Sequence, residues 1–210
     1  MDKELDHLSD TETRIFQAAE KEFFEKGYAG ARTASIAEAA GVNHAMLHYY
    51  FRTKDKLFER IISGKIAVLG KTMLNAIGDS KLPLEDRIRQ GVEQHFDFLS
   101  ANQNLPRFII NEVLSRPEYI EVMKQNISNT IGNSLNDLQQ EIDMCASQGK
   151  CEQTDVRNLL IDIISLNIFP FMAAPYLKET VGIFYKSYDD FFAMRKKENV
   201  ETILRKLKIH

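Results

Sequence analysis

Proline and cysteine are both scarce in this 210-residue chain, and long hydrophobic runs are missing. Five prolines leave most of the sequence free of helix breakers, and no Asn-Gly or Asp-Gly pair supplies a hairpin signal. Two cysteines, Cys145 and Cys151, are too few for a disulfide framework, so the expected compartment is the cytoplasm. No apolar run reaches the roughly 18 residues of a membrane span, and Met1 to Asp10 is acidic and polar, unlike a signal peptide. There is no Gly-rich phosphate loop and no recognisable pairing of nucleophile with base, which argues against an enzyme; no cofactor is expected. Positive charge is also short overall: the net charge is −3 and the pI about 6.0. A protein that coats nucleic acid would be basic throughout, so any DNA binding must rest on local charge.

What the chain has in quantity is helical periodicity. The pattern predicts an all-α protein of about nine helices: 9–26, 33–40, 44–51, 53–76, 84–101, 107–115, 117–147, 155–181 and 188–207. Ser9 with Glu12 can close a capping box, Asn43 and Thr53 are expected N-caps, Pro117 suits a first helical turn, and Gly27 and Gly41 are expected stops. Pro170 is expected to kink the helix over 155–181.

The informative stretch is Phe23 to Phe58. Ile36-Ala37-Glu38-Ala39-Ala40-Gly41-Val42-Asn43 reads as short helix, tight turn, short helix. Small Ala37 and Ala40 let a second helix cross closely, and Gly41 can take the positive φ of the turn. With Val42 and Leu47 turned inward, Asn43, His44, Ala45, Met46 and His48 are left on the outer face, where a recognition helix meets base edges. Between residues 26 and 65 seven cations face three anions, whereas residues 1–25 are acidic and are expected to lie away from DNA or to stay disordered. His44 and His48 also have i, i+4 metal-ligand spacing, but no third ligand stands nearby, so no metal is expected.

These residues resemble the tetracycline-repressor family, through Phe23-Phe24 with Gly27-Tyr28, Ile36-Ala37 with Ala39-Ala40-Gly41-Val42, and Leu47 with Tyr49-Tyr50-Phe51, Lys54 and Leu57-Phe58. His48 and Tyr50 look exchanged relative to the family's usual aromatic and polar positions. The resemblance implies a three-helix helix-turn-helix head at 1–53 and an effector-binding, dimerising helical body at 54–210. It implies DNA contacts by Thr33, Asn43, His44, Ala45, Met46, His48, Tyr49 and Lys54, with Thr33, Tyr49 and Lys54 on phosphates. Asn43 could read adenine through its amide. The partners implied are a double-stranded palindromic operator, a small-molecule effector of unknown identity and a second copy of the chain.

Within the body, Met73, Phe96, Phe108, Asn111, Met123 and Asn126 are the candidate pocket lining; core packing is the other reading of the apolar ones. His95 reads as a half-buried structural histidine. The helix over 155–181 is apolar on nearly all faces, which points to burial against a partner subunit. Leu160, Ile164, Ile168, Phe171, Phe192 and Ile203 are the candidate dimer interface. Cys145 and Cys151 are either inert thiols or, with a lowered thiolate pKa and access, a redox pair. An architectural or partner-binding helix-turn-helix protein without an effector is the alternative function.

Overall fold

The computed structural model describes residues 10–77, 81–180, 182 and 185–208; the side chains at 69, 72–77, 118, 122, 123 and 126–133 lie outside the description. Ser9 of the expected capping box is likewise outside it. Among the described residues all regular structure is helical: α1 (Asp10–Gly30), α2 (Thr33–Ala39), α3 (His44–Phe51), α4 (Lys54–Ile77), α5 (Leu84–Ala101), α6 (Leu105–Phe108), α7 (Pro117–Ser147), α8 (Val156–Met172), α9 (Ala174–Thr180) and α10 (Tyr188–Leu207). A π-turn over Ile109–Val113 follows α6. No single described helix is long and apolar enough to cross a membrane.

The chain divides into two compact units, Met1–Val68 with Phe108–Asn126, and Leu69–Arg107 with Ile127–His210. The first unit closes around Phe58 of α4. Its ring meets Phe23 edge-on at 5.1 Å, Tyr119 at 5.0 Å and Phe108 at 5.6 Å. Ile15, Ala19 and Phe23 form the buried face of α1, with the spacing of one helical stripe. Gly27 (φ 66°) breaks the α1 helix at the expected stop. Asn43 Oδ1 accepts from Met46 N at 2.8 Å, and Thr53 Oγ1 from Lys56 N at 3.1 Å, so both expected caps form.

In the second unit, α5, α8 and α10 pack around Ile88, Val92, Leu159, Ile163, Val200 and Ile203. A smaller aromatic cluster joins Phe96, Leu99, Phe171 and Phe192. Asp155 caps α8 through Arg157 N at 2.7 Å.

Two expectations need correction. The segment 155–181 is not one helix: α8 ends at Met172, and α9 leaves at 64°. The turn falls after Pro170, not at it. Pro170 cannot donate to the Leu166 carbonyl, but Asn199 Nδ2 takes that carbonyl at 3.0 Å, so the helix runs on. At the break itself Ala173 caps α8, its N–H reaching the Phe169 and Phe171 carbonyls, and Pro175 falls in the first turn of α9. Nor is 107–115 a regular α-helix. Leu114 N bonds Ile109 O at 3.0 Å, five residues back, which defines the π-turn.

Candidate nucleic-acid interface

The turn between α2 and α3 is built as its residues require. Gly41 sits at φ 66°, and Val42 N reaches Ala37 O at 3.0 Å. Arg14 of α1 donates to Ala40 O at 3.1 Å, so the carbonyl freed at the end of α2 is satisfied from a neighbouring helix. Leu47 and Phe51 bury one face of α3. The other face exposes His44, Ala45, Met46, His48 and Tyr49, the last 73% exposed.

Several of these side chains are tied to one another. His44 Nε2 lies 3.0 Å from Thr33 Oγ1, which joins the start of α2 to the start of α3. The His44 and His48 rings meet edge-on at 4.8 Å. His48 Nδ1 lies 2.6 Å from the carbonyl oxygen of Arg52. Asn43 spends its carbonyl oxygen on the cap, which leaves its Nδ2 group as the donor end of the amide. Among the described residues no cluster of three or more His, Cys, Asp or Glu could hold a metal ion.

Lys54, at the start of α4, is half-buried. Its ammonium donates to Ala31 O at 2.6 Å and stands 4.5 Å from the Tyr28 ring centroid, so it ties α4 to the loop ahead of α2. The positive surplus between 26 and 65 is also less free than the sequence count suggests. Lys26 pairs with Glu22 (2.8 Å), Arg60 with Glu12 (2.5 Å), Lys65 with Glu20 (2.7 Å) and Lys56 with Glu59 (2.9 Å). Three of those acids, Glu12, Glu20 and Glu22, belong to α1.

The residue that sequence reasoning missed is Arg52. It is exposed, carries φ 62° and ψ −62°, and is the centre of a γ-turn closed by Thr53 N to Phe51 O at 2.6 Å. The signal was available: only Arg52 and Thr53 separate two helices, with no glycine to absorb the reversal.

A second cluster in the first unit surrounds Tyr28. Glu112 of the π-turn accepts from Tyr28 N at 3.1 Å, and its carboxylate lies where a Cβ at Gly27 would stand, 2.6 Å away. Arg116 bridges to Glu112 at 3.5 Å and covers the Tyr28 ring at 4.1 Å. Tyr28 gives its hydroxyl hydrogen to Asp55. Burial, and then that carboxylate, push the phenol up to about 12.

Three of the six candidate effector residues have described side chains. Phe96 belongs to the second unit, whereas Phe108 is buried in the first and Asn111 is exposed there. Met73, Met123 and Asn126 fall outside the described side chains. Of the candidate interface residues, Phe171, Phe192 and Ile203 are buried in the chain's own core; Leu160, Ile164 and Ile168 are half-buried. The apolar side chains left outward on α8 and α9 are Ile161 (60% exposed), Phe169 (65%) and Tyr176 (69%). Phe169 also lines an open groove of about 540 Å³ with Leu166, Leu177, Tyr185, Phe191 and Arg195.

His95 is fully buried, not half-buried, and ends a polar chain through the second unit's core. Arg195 can only donate, so Asn199 Oδ1, 2.6 Å away, accepts. Asn199 Nδ2 then serves Leu166 O and, at 2.8 Å, Asn167 Oδ1. Asn167 Nδ2 serves Val92 O at 2.9 Å and His95 Nδ1 at 3.1 Å. Burial holds the imidazole down at about 4. Cys151, half-buried beside Cys145, has its thiol pushed up to about 12 by burial and then by its neighbour, the direction of an inert thiol.

The comparisons agree with this geometry. Residues 15–61 match the model of bacterial regulatory proteins of the tetR family. The chain is 26% identical over 187 residues to the probable HTH-type transcriptional regulator YttP of Bacillus subtilis, covering 85% of this chain and 88% of that protein. In fold it resembles a tetR-family regulator from Mesorhizobium loti (TM-score 0.67, 18% identity, 94% of this chain and 98% of that one). It also resembles the transcriptional regulator FadR from Bacillus subtilis, solved in complex with stearoyl-CoA (TM-score 0.64, 21% identity, 94% and 99%). The helix-turn-helix of this chain thus matches the tetR-family model over residues 15–61, and its all-helical fold is shared with solved regulators of that type.

Proposed function

We propose that this regulator is a cytoplasmic, homodimeric repressor that holds a palindromic operator and is released from it by a small molecule bound in its helical body. The head is residues 1–53 and the body 54–210. The observation that carries the reading is the outer face of α3, where His44, Ala45, Met46, His48 and Tyr49 stand exposed beside Thr33 on a helix whose other face is locked by Leu47 and Phe51. Tyr49 suits a phosphate, and the Asn43 Nδ2 group suits an acceptor on a base edge. For Thr33 to give its hydroxyl hydrogen to a phosphate, His44 must donate through Nε2.

The second copy is proposed to cover Ile161, Phe169 and Tyr176, apolar side chains that a lone subunit leaves in water. A stearoyl-CoA-bound relative of the same fold supports an effector with a large apolar part. Release then follows from linkage: the effector must bind the conformation that cannot engage both half-sites better than the one that can, by about 1–3 kcal/mol.

The test is a salt-titrated binding assay against DNA upstream of the chain's own gene, with a His44→Ala, Tyr49→Phe variant beside the wild type. The expected result is tight binding to one short palindrome that weakens steeply with salt and is weaker still in the variant. Equal binding to random DNA would overturn the reading and favour an architectural or partner-binding role.

A further inference from the structure

The γ-turn at Arg52 is costly. A non-glycine residue at φ 62°, ψ −62° stores backbone strain. What the turn accomplishes is visible one helical turn back: it points the Arg52 carbonyl at His48 Nδ1, 2.6 Å away.

A carbonyl oxygen can only accept, so Nδ1 must carry the hydrogen. In the uncharged ring the other nitrogen, Nε2, is then a bare lone pair. The ring is held in this pose from the other side as well, by the edge contact with His44, itself pinned to Thr33. His48 is exposed on the outer face of α3, so the lone pair faces whatever that helix meets.

We propose that His48 is a specificity-determining residue that reads an exocyclic amine in the major groove, either N6 of adenine or N4 of cytosine, by accepting a hydrogen bond at Nε2. This rests on the DNA-binding reading above. Guanine offers only N7 and O6 acceptors and thymine an O4 acceptor with a methyl group; neither can satisfy a lone pair. The tautomer is therefore set by the protein backbone and not by the DNA.

Every base pair carries one such amine, so sequence preference alone cannot test this; removal of the amine can. Operator half-sites are first obtained by selection from random DNA at pH 8, since the proposal concerns the uncharged ring. The position relaxed by His48→Ala is then located. At that pair, adenine is replaced by purine or cytosine by 2-pyrimidinone, each of which lacks only the amine. Wild type should lose roughly fivefold in affinity. His48→Ala should lose nothing further from the same replacement. Equal losses in both proteins, or no position relaxed by His48→Ala, would overturn the proposal while leaving DNA binding intact. Absence of any selected sequence would remove the DNA-binding reading and the proposal with it. Because His48 is exposed, the variant is expected to melt like wild type, which separates a lost contact from a lost fold.

Discussion

In the first unit, polar side chains work at the rim. Arg14 reaches the Ala40 carbonyl, Lys54 the Ala31 carbonyl and Glu112 the Tyr28 amide, while the buried cluster inside is apolar apart from the phenol of Tyr119. In the second unit the polar chain runs through the core, from Arg195 by way of Asn199 and Asn167 to His95. The difference shows two ways of setting one arrangement of helices. The rim bonds fix loops and turns, where a DNA-facing helix needs its entry and exit held. The core amides fix the mutual register of α5, α8 and α10, which apolar packing alone would leave looser. Oriented amides lack partners in any shifted register.

The sharpest way to break this contrast is to remove packing where it should dominate. Phe58→Ala deletes the ring on which Phe23, Phe108 and Tyr119 converge, and should cost about 4 kcal/mol by chemical denaturation. Hydrogen exchange should rise first in α1 to α3. A uniform rise through α5, α8 and α10 would mean that the two regions do not differ in this respect.

A smaller effect should come from acid through His95 in the second unit. His95 stays neutral in the fold down to about 4, whereas in the unfolded chain it gains a proton below about 6.5. The unfolded state therefore binds more protons in that window. Stability is fully present above about pH 6.5 and is lost as the pH falls toward 4, by about 3 kcal/mol in all. Urea midpoints at pH 7 and pH 5 should show the loss in wild type, and His95→Gln should flatten it. An unchanged slope in the variant would assign the acid sensitivity elsewhere.

The smallest effect belongs to the rim. Glu112→Ala frees one amide beside partly accessible surface and should cost only about 1 kcal/mol in thermal melts. A loss as large as that of Phe58→Ala would make the Tyr28 cluster part of the core in energetic terms.

The head was largely legible because its determinants are local. Gly27, Gly41, Asn43 and Thr53 each act within four residues of their own position, and each sits where the pattern put it. The tie from Lys54 to Ala31 spans 23 residues and that from Glu112 to Tyr28 spans 84; no periodicity encodes either. The same holds for Asn167 and His95, 72 residues apart, and for Asn199, which fills the Leu166 carbonyl that Pro170 cannot reach, from another helix. An apolar segment such as 155–181 announces burial but not which face is covered by which neighbour. That is why Phe171, Phe192 and Ile203 turn out to serve the chain's own interior.

The π-turn at Ile109–Val113 has an evolutionary consequence. Its geometry is that of an α-helix carrying one surplus residue. Deleting that residue would restore an ordinary helix and rotate everything after it by about 100°. Glu112 and Arg116 would then swing away from Tyr28, and the chain would lose a cluster of contacts without losing a single residue that makes them. Lineages descended from this sequence should therefore change those side chains more readily than they change the spacing around them.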